Sequence, residues 1–417
     1  MLANHPLRER VVQEMLLRRF PAISTPSRIV QIVRIVPPAD REEERRQVMA
    51  MPADSLVEPG SHDRHVAGSC PAGALLSWER HSEASTATVL LPLGVDARAA
   101  IDWIEGLPGY VVRAMRITVI ADEASASPVL MAAAMVKTDL VTCHIGPCRI
   151  WSDFRMGSDG YGRMVLAANG CPPTDLGRIV QRVQELGNYR NLALLGLPLA
   201  QQHGTRLDRL ETQLSEGARQ IAEGGHDDEA LLERMSALSA ELEHVAASTA
   251  FRLGATHAYA AIVADRLASL DISAIEGHQS LVDFNDRRFV PAVRTCATFT
   301  ARIDTLGART ARITALLRTR IETSIERQNR DLLTSVEQGI GLQLRLQHLV
   351  ESLSVLAISY YAISLLGYVA KGASKLVPWL SPEILLAGAV VPVSLGIALF
   401  IRHRRGRLFA GDATRHA

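Results

Sequence analysis

The sequence predicts an α+β fold: an N-terminal mixed α/β domain, a long helical region with a coiled coil, and a C-terminal two-helix transmembrane hairpin. Three observations predict it. Up to Gly170, short runs rich in β-branched residues alternate with helical stretches and turn signals. Beyond Gly170, apolar residues recur at helical spacing almost without a break. Near the C-terminus, residues 352–370 and 384–401 run 19 and 18 residues without a charge, close to the ~20 apolar residues that cross a bilayer core.

The first part, residues 1–170, reads in order as follows. A short helical pattern (Leu7, Val11, Met15, Leu16) ends at Phe20-Pro21, and residues 28–36 form an Ile/Val-rich strand stopped by Pro37-Pro38. Residues 39–72 combine the charge run Asp40-Arg41-Glu42-Glu43-Glu44-Arg45-Arg46 with Pro, Gly and Ser, and are expected to be a flexible segment. Residues 75–80 and 86–91 read as a strand pair, 96–107 as a helix capped by Asp96, and 111–121 and 139–145 as further strands. Residues 149–154 and 163–168 flank Met156-Gly157-Ser158-Asp159-Gly160, a hairpin signal.

In the helical region, residues 171–290, Thr174 is the expected N-cap of a helix that reaches Leu195 and breaks at Gly196 and Pro198. Two helices, 204–223 and 227–250, carry Leu207, Leu210, Leu214 and Ile221 against Leu231, Met235, Leu238, Leu242 and Val245. With Gly224-Gly225 between them they predict an antiparallel coiled-coil hairpin. Another helix is expected over 256–270. Residues 291–371 then read as one stalk helix, about 120 Å long at 1.5 Å per residue to the end of the first span at Ala370. A second span at 384–401 and a basic tail, 402–417, follow. Arg402, Arg404, Arg405 and Arg407 outnumber Lys371 and Lys375 in the link, so the positive-inside bias places both termini in the cytoplasm. The N-terminus has no apolar h-region, so a secretory signal is not expected.

Bulk composition narrows the function classes. A net charge of +1 over 417 residues argues against a general nucleic-acid binder. Five scattered cysteines, Cys70, Cys143, Cys148, Cys171 and Cys296, are expected to be reduced thiols of a cytoplasmic body. His62, His65 and Cys70 match no zinc spacing, Cys143 and Cys148 are no CxxC pair, and Gly157-Ser158-Asp159-Gly160 lacks the lysine of a phosphate loop. No nucleophile–base pair or carboxylate pair stands out, so no enzymatic activity and no cofactor are expected.

Two groups of residues carry what chemistry there is. At 100° per residue, Gln343, Gln347, Ser354, Tyr361 and Tyr368 share a narrow sector of the stalk helix, with Ser364 beside it. Such a stripe lines a pore in a symmetric oligomer or makes contacts between helices. Trp78-Glu79-Arg80-His81-Ser82-Glu83 clusters acid, base and aromatic groups on a strand. Alternation puts Trp78, Arg80 and Ser82 on one face and Glu79, His81 and Glu83 on the other. A metal site on the second face and a plain solvated or interface strand are both compatible with it.

Seven segments also carry a resemblance. They are His5-Pro6-Leu7-Arg8, Trp78 to Glu83, Asp175-Leu176-Gly177-Arg178-Ile179-Val180-Gln181-Arg182, Tyr189-Arg190, Ala193-Leu194-Leu195-Gly196-Leu197-Pro198, Arg294-Thr295-Cys296 and Ala357-Ile358-Ser359-Tyr360-Tyr361. In this order the chain resembles, over nearly its whole length, an uncharacterised bacterial family of predicted membrane-anchored proteins, domain of unknown function 3422. The resemblance implies anchoring in a bacterial inner membrane and supplies no activity. In layout alone the chain is similar to CorA-like magnesium channels, which are pentamers around a long helix. Their Tyr-Gly-Met-Asn loop is absent; Leu366-Gly367-Tyr368-Val369-Ala370-Lys371 stands in its place. The expected partners are therefore the lipid bilayer, further copies of this chain and a protein bound through the helical body, with no nucleic acid. The expected function is a non-enzymatic membrane scaffold or sensor, with a CorA-like oligomeric cation channel as the alternative.

Overall fold

A computed structural model describes residues 5–8, 11–12, 20–56, 64–70, 73–135, 139–225, 227–373 and 382–410. The chain divides into two units, Met1–Ala315 and Leu316–Ala417.

The first unit is α+β. Its ten-stranded sheet has the order β10-β7-β8-β9-β6-β1-β5-β4-β3-β2. The strands are β1 (Ser27–Ile35), β2 (Ser55–Leu56), β3 (His65–Ser69), β4 (Leu75–Arg80), β5 (Ala84–Pro92), β6 (Tyr110–Ile120), β7 (Val141–Ile145), β8 (Cys148–Ser152), β9 (Gly162–Ala167) and β10 (Ile272–Ala274). All pairs are antiparallel except β6 with β9. β1 is central and buried on both faces, which accounts for its near-continuous run of Ile and Val. Its alternate residues feed two cores. Ile29 joins Ile117, Ile150 and Leu166 beneath the helix stripe Leu176, Val180, Val183 and Leu186. Val30 and Ile32 join Leu76, Trp78 and Val89 beneath Val48, Ala100 and Ile104.

The helices of this unit are α1 (Arg41–Met49), α2 (Arg98–Gly106), α3 (Ala126–Ala132), α4 (Pro173–Leu194), α5 (Gly196–Glu223), α6 (Asp228–Ser269) and the single turn α7 (Leu281–Phe284). A π-helical turn, Asn285–Phe289, leads into α8 (Val290–Ala373), which runs on into the second unit. α5 and α6 are antiparallel, with Arg206 paired to Glu241 and Gln220 bonded to Arg234. Leu207, Leu210 and Leu214 are buried with Leu231, Met235, Leu238, Leu242 and Val245. Gly217 faces Met235, whose methyl would lie 2.7 Å from an added Cβ.

Several expectations are corrected. The flexible segment 39–72 contains ordered elements: its charge run is α1, and β2 and β3 follow, while residues 57–63 and 71–72 lie outside the described residues. α1 was masked in the sequence because its inward face holds only Glu44 and Val48. Thr174 is no N-cap; α4 starts a residue earlier, on Pro173, as suits a proline at the first helical position. The break at Gly196 amounts to a junction between α4 and α5, and the helices expected at 227–250 and 256–270 are one continuous α6. Asp96 bonds the Arg98 backbone N–H at 3.1 Å just ahead of α2. The coiled-coil geometry is not supported; an antiparallel helix pair is what the contacts describe.

The second unit contains the remainder of α8 and α9 (Pro382–Ala410). The window of α8 apolar enough for a membrane is 11% buried. Among the described residues α8 is the one helix that is long and apolar enough to cross a membrane, and the apolar part of α9, Leu386–Ile401, is shorter. The two-helix transmembrane hairpin is thus not supported as such, and most of its link, 374–381, lies outside the described residues. A Cβ added at Gly388 or Gly396 would meet nothing within 4 Å among the described residues, whereas one added at Gly367 would lie 3.4 Å from Leu386.

Candidate functional site

The first unit holds a cleft of about 280 Å³ built from segments far apart in sequence. β6 supplies Arg113 from its buried face. α4 supplies Arg190, which stands on the helix stripe Val183, Leu186, Arg190, Ala193, all buried. The loop after β8 contributes Phe154, and the α7 turn with the π turn after it contributes Phe284 and Arg288.

Arg113 is 6% exposed. Its guanidinium donates to Gln31 Oε1 at 3.0 Å and Asn188 Oδ1 at 2.8 Å, and Gln31 Nε2 donates in turn to Thr88 Oγ1 at 3.1 Å. These acceptors are neutral amides. The guanidinium fits because residue 187 is glycine: a Cβ there would lie 2.8–2.9 Å from it. Arg190 is 7% exposed. Its guanidinium carbon sits 4.5 Å from the Phe154 ring centre and 5.2 Å from that of Phe284, and the two rings stack at 4.1 Å. Among the described residues, no carboxylate or carbonyl hydrogen-bonds to it.

The electrostatics follow from burial. Desolvation pulls Arg190 down to about 10. Burial, reinforced by the like charge of Arg190, pulls Arg113 down to about 9. Both remain cationic at neutral pH, so two buried positive charges repel each other at the wall of an open cleft. Phe154 takes a left-handed backbone, φ 52°, which is uncommon for a bulky residue. Ser152 holds that turn, its hydroxyl accepting from the Phe154 N–H and donating to the Arg163 carbonyl.

The polar cluster on β4 is divided between two faces. Trp78 Nε1 donates to the buried Glu44 of α1 at 3.0 Å, and Trp78 and Arg80 border a void of about 10 Å³. On the other face, His81 meets Tyr189 edge-on at 6.3 Å. Glu83 accepts two bonds, 2.9 and 2.8 Å, from Arg252 of α6. Burial and a bond to Glu83 raise the Tyr259 hydroxyl well above its ordinary range. Glu79 stands opposite His65 of β3. These contacts tie β4 to α1, α4 and α6. No group of three metal-ligating side chains occurs among the described residues.

In the second unit, Gln343, Gln347, Ser354, Tyr361 and Tyr368 are exposed and Ser364 is half-buried. Ser354 satisfies its hydroxyl on the Val350 carbonyl of its own helix at 2.8 Å.

Sequence reasoning missed the cleft because its four key residues are scattered between 113 and 284. One signal was present: an arginine on the apolar stripe of α4, within the Tyr189-Arg190 pair.

No curated protein and no solved structure matches the chain. The family model described as a protein of unknown function (DUF3422) matches residues 3–408, nearly the whole chain, and the chain belongs to that family.

Proposed function

We propose that the protein is a membrane-anchored, non-enzymatic scaffold or sensor, held by α8 in the bacterial inner membrane with both termini in the cytoplasm. The observation that carries this reading is the exposed apolar surface of α8. Leu353, Leu356, Leu365 and Val369 are each more than 60% exposed, as are Tyr360, Tyr361 and Tyr368. Contiguous apolar surface of that extent is unfavourable in water and matched by hydrocarbon. In the same reading the second span is the apolar part of α9, with Leu386 lying against Gly367. Its short length is met by local bilayer thinning.

Between the first unit and this surface, α8 presents Ile325, Leu332, Val336 and Ile340 to solvent. Four arginines and four acidic residues are interspersed from Arg318 to Glu337. An apolar stripe flanked by balanced charge suits a second copy of the same helix, which supports a homo-oligomer. A protein partner of the helical body belongs to the scaffold reading.

The exposed line Gln343, Gln347, Ser354, Tyr361 and Tyr368 favours a second reading, a CorA-like oligomeric cation channel with α8 lining the pore. Native mass measurement of the detergent-solubilised chain separates the two. A closed ring of subunits, with ion flux lost in Gln347→Leu and Ser354→Leu, supports the channel. A monomer or dimer eliminates the channel and leaves the scaffold. Release of the wild-type protein from membranes by alkaline carbonate contradicts both.

A further inference from the structure

We propose that the cleft between β6, α4 and the α7 turn is a binding site for a small organic anion, its phosphate or carboxylate group seated on Arg190 and Arg113. The proposal goes beyond membrane attachment and does not depend on it, since every residue concerned lies in the first unit.

Four observations converge on it. Arg190 is buried, borders the cleft and has an aromatic wall on its flank but no hydrogen-bond acceptor among the described residues. A guanidinium carries five donors, and those of Arg190 have no protein acceptor among the described residues, which leaves them to whatever occupies the cleft. Arg113 is the second buried cation, and its acceptors Gln31 and Asn188 are neutral, so nothing in that network offsets its charge. Arg288 adds an exposed cation to the cleft wall. The volume, about 280 Å³, lies at the lower edge of ligand-sized clefts, which run from roughly 300 to 1,000 Å³.

The arrangement also indicates what binds. A planar fork of donors matches two oxygens of one phosphate or carboxylate. The Phe154–Phe284 stack and exposed Met156 give the rest of the ligand an apolar wall. A free inorganic ion would leave that wall uncovered, so the expected ligand carries a short organic portion. Phe154, held in its left-handed turn, is a positioning residue: its ring fixes the guanidinium of Arg190 toward the cleft.

The test is calorimetric titration of the full detergent-solubilised chain with phenyl phosphate and, separately, with benzoate, at constant ionic strength set by chloride. Binding of either probe supports the site, and the tighter probe names the oxyanion. Arg190→Met is expected to weaken binding at least tenfold and Arg288→Ala several-fold, while Arg234→Ala on α6, outside the cleft, leaves it unchanged. Arg190→Met removes a buried charge and can fold as well as the parent; should it fail to fold, the exposed Arg288→Ala carries the comparison. Absence of heat with both probes overturns the proposal, as does equal weakening by Arg288→Ala and Arg234→Ala.

Discussion

The polar residues of the first unit show at close range how a charge is tolerated or exploited. Glu83 is a half of a two-bonded pair with Arg252, side chains 10% and 20% exposed, and its role is to tie the β4–β5 turn to α6. Arg34 serves similarly, donating to the Ile104 and Glu105 carbonyls at the C-terminal end of α2. Glu123 is the clearest pH-dependent case. It accepts from Arg149 at 2.7 Å and from Asn169 at 2.9 Å, and the bond from Arg149 holds its carboxyl below the usual range. Its folded-state value is therefore lower than its unfolded value of about 4.3. The stabilisation is fully present above that unfolded value and is lost as pH falls through the lowered folded one. Because the carboxylate is about a third exposed, the contribution is at most about 1 kcal/mol. Denaturant unfolding should show Glu123→Gln less stable than wild type at pH 7, with the gap closing on acidification. A gap constant down to acid pH would contradict this origin. The cleft cations are the opposite case: Arg113 and Arg190 lack the carboxylate that Glu83 gives Arg252, and that contrast is what marks the cleft as a site.

The elements differ in how plainly the sequence announces them, for physical reasons. β1, β4, β5 and the β8–β9 pair were legible because runs of Ile, Val, Leu and Thr reflect burial of both or alternate faces, and because Gly160 takes a positive φ that its turn requires. β3 and β10 were not, since each is a short edge or near-edge strand completed by its neighbour rather than by its own composition. α1 was hidden by its charges. Six of its nine residues are charged, yet two indole N–H groups hold it, Trp103 on the Gln47 carbonyl and Trp78 on Glu44, the latter pair nearly inaccessible. Glu44→Ala leaves the indole N–H buried without an acceptor, a cost of about 1–3 kcal/mol. Glu44→Gln, which keeps an acceptor oxygen, should lose less. Thermal unfolding checks the order: wild type above Glu44→Gln above Glu44→Ala. If alanine proves harmless, α1 is anchored by Val48 and the Trp103–Gln47 bond and not by Glu44. The helical periodicities give the class correctly, but they place a gap at 251–255, between the helices expected over 227–250 and 256–270, where α6 runs straight through.

For the whole molecule, the sequence reading of an α/β body followed by helices agrees with the mixed α+β architecture, the sheet and the long α8. The cleft was illegible at this scale: residues at 113, 154, 190 and 284 meet only once β6, the β8–β9 loop, α4 and α7 are assembled. The exposed stripe on α8 was legible, since 100° periodicity is written into any helix, whereas what covers it is a property of the surroundings. The proposed membrane anchor requires that lipid surround the apolar part of α8. Single-cysteine labelling in intact inner-membrane vesicles with exposed cytoplasmic faces tests this most directly, using a background with Cys70→Ser, the one half-exposed native thiol. A membrane-impermeant maleimide should label cysteines placed at Glu326 and Gln338 rapidly, and cysteines at Leu356, Ile358 and Leu365 not at all until detergent is added. Equally fast labelling at all five positions in intact vesicles would contradict the membrane anchor.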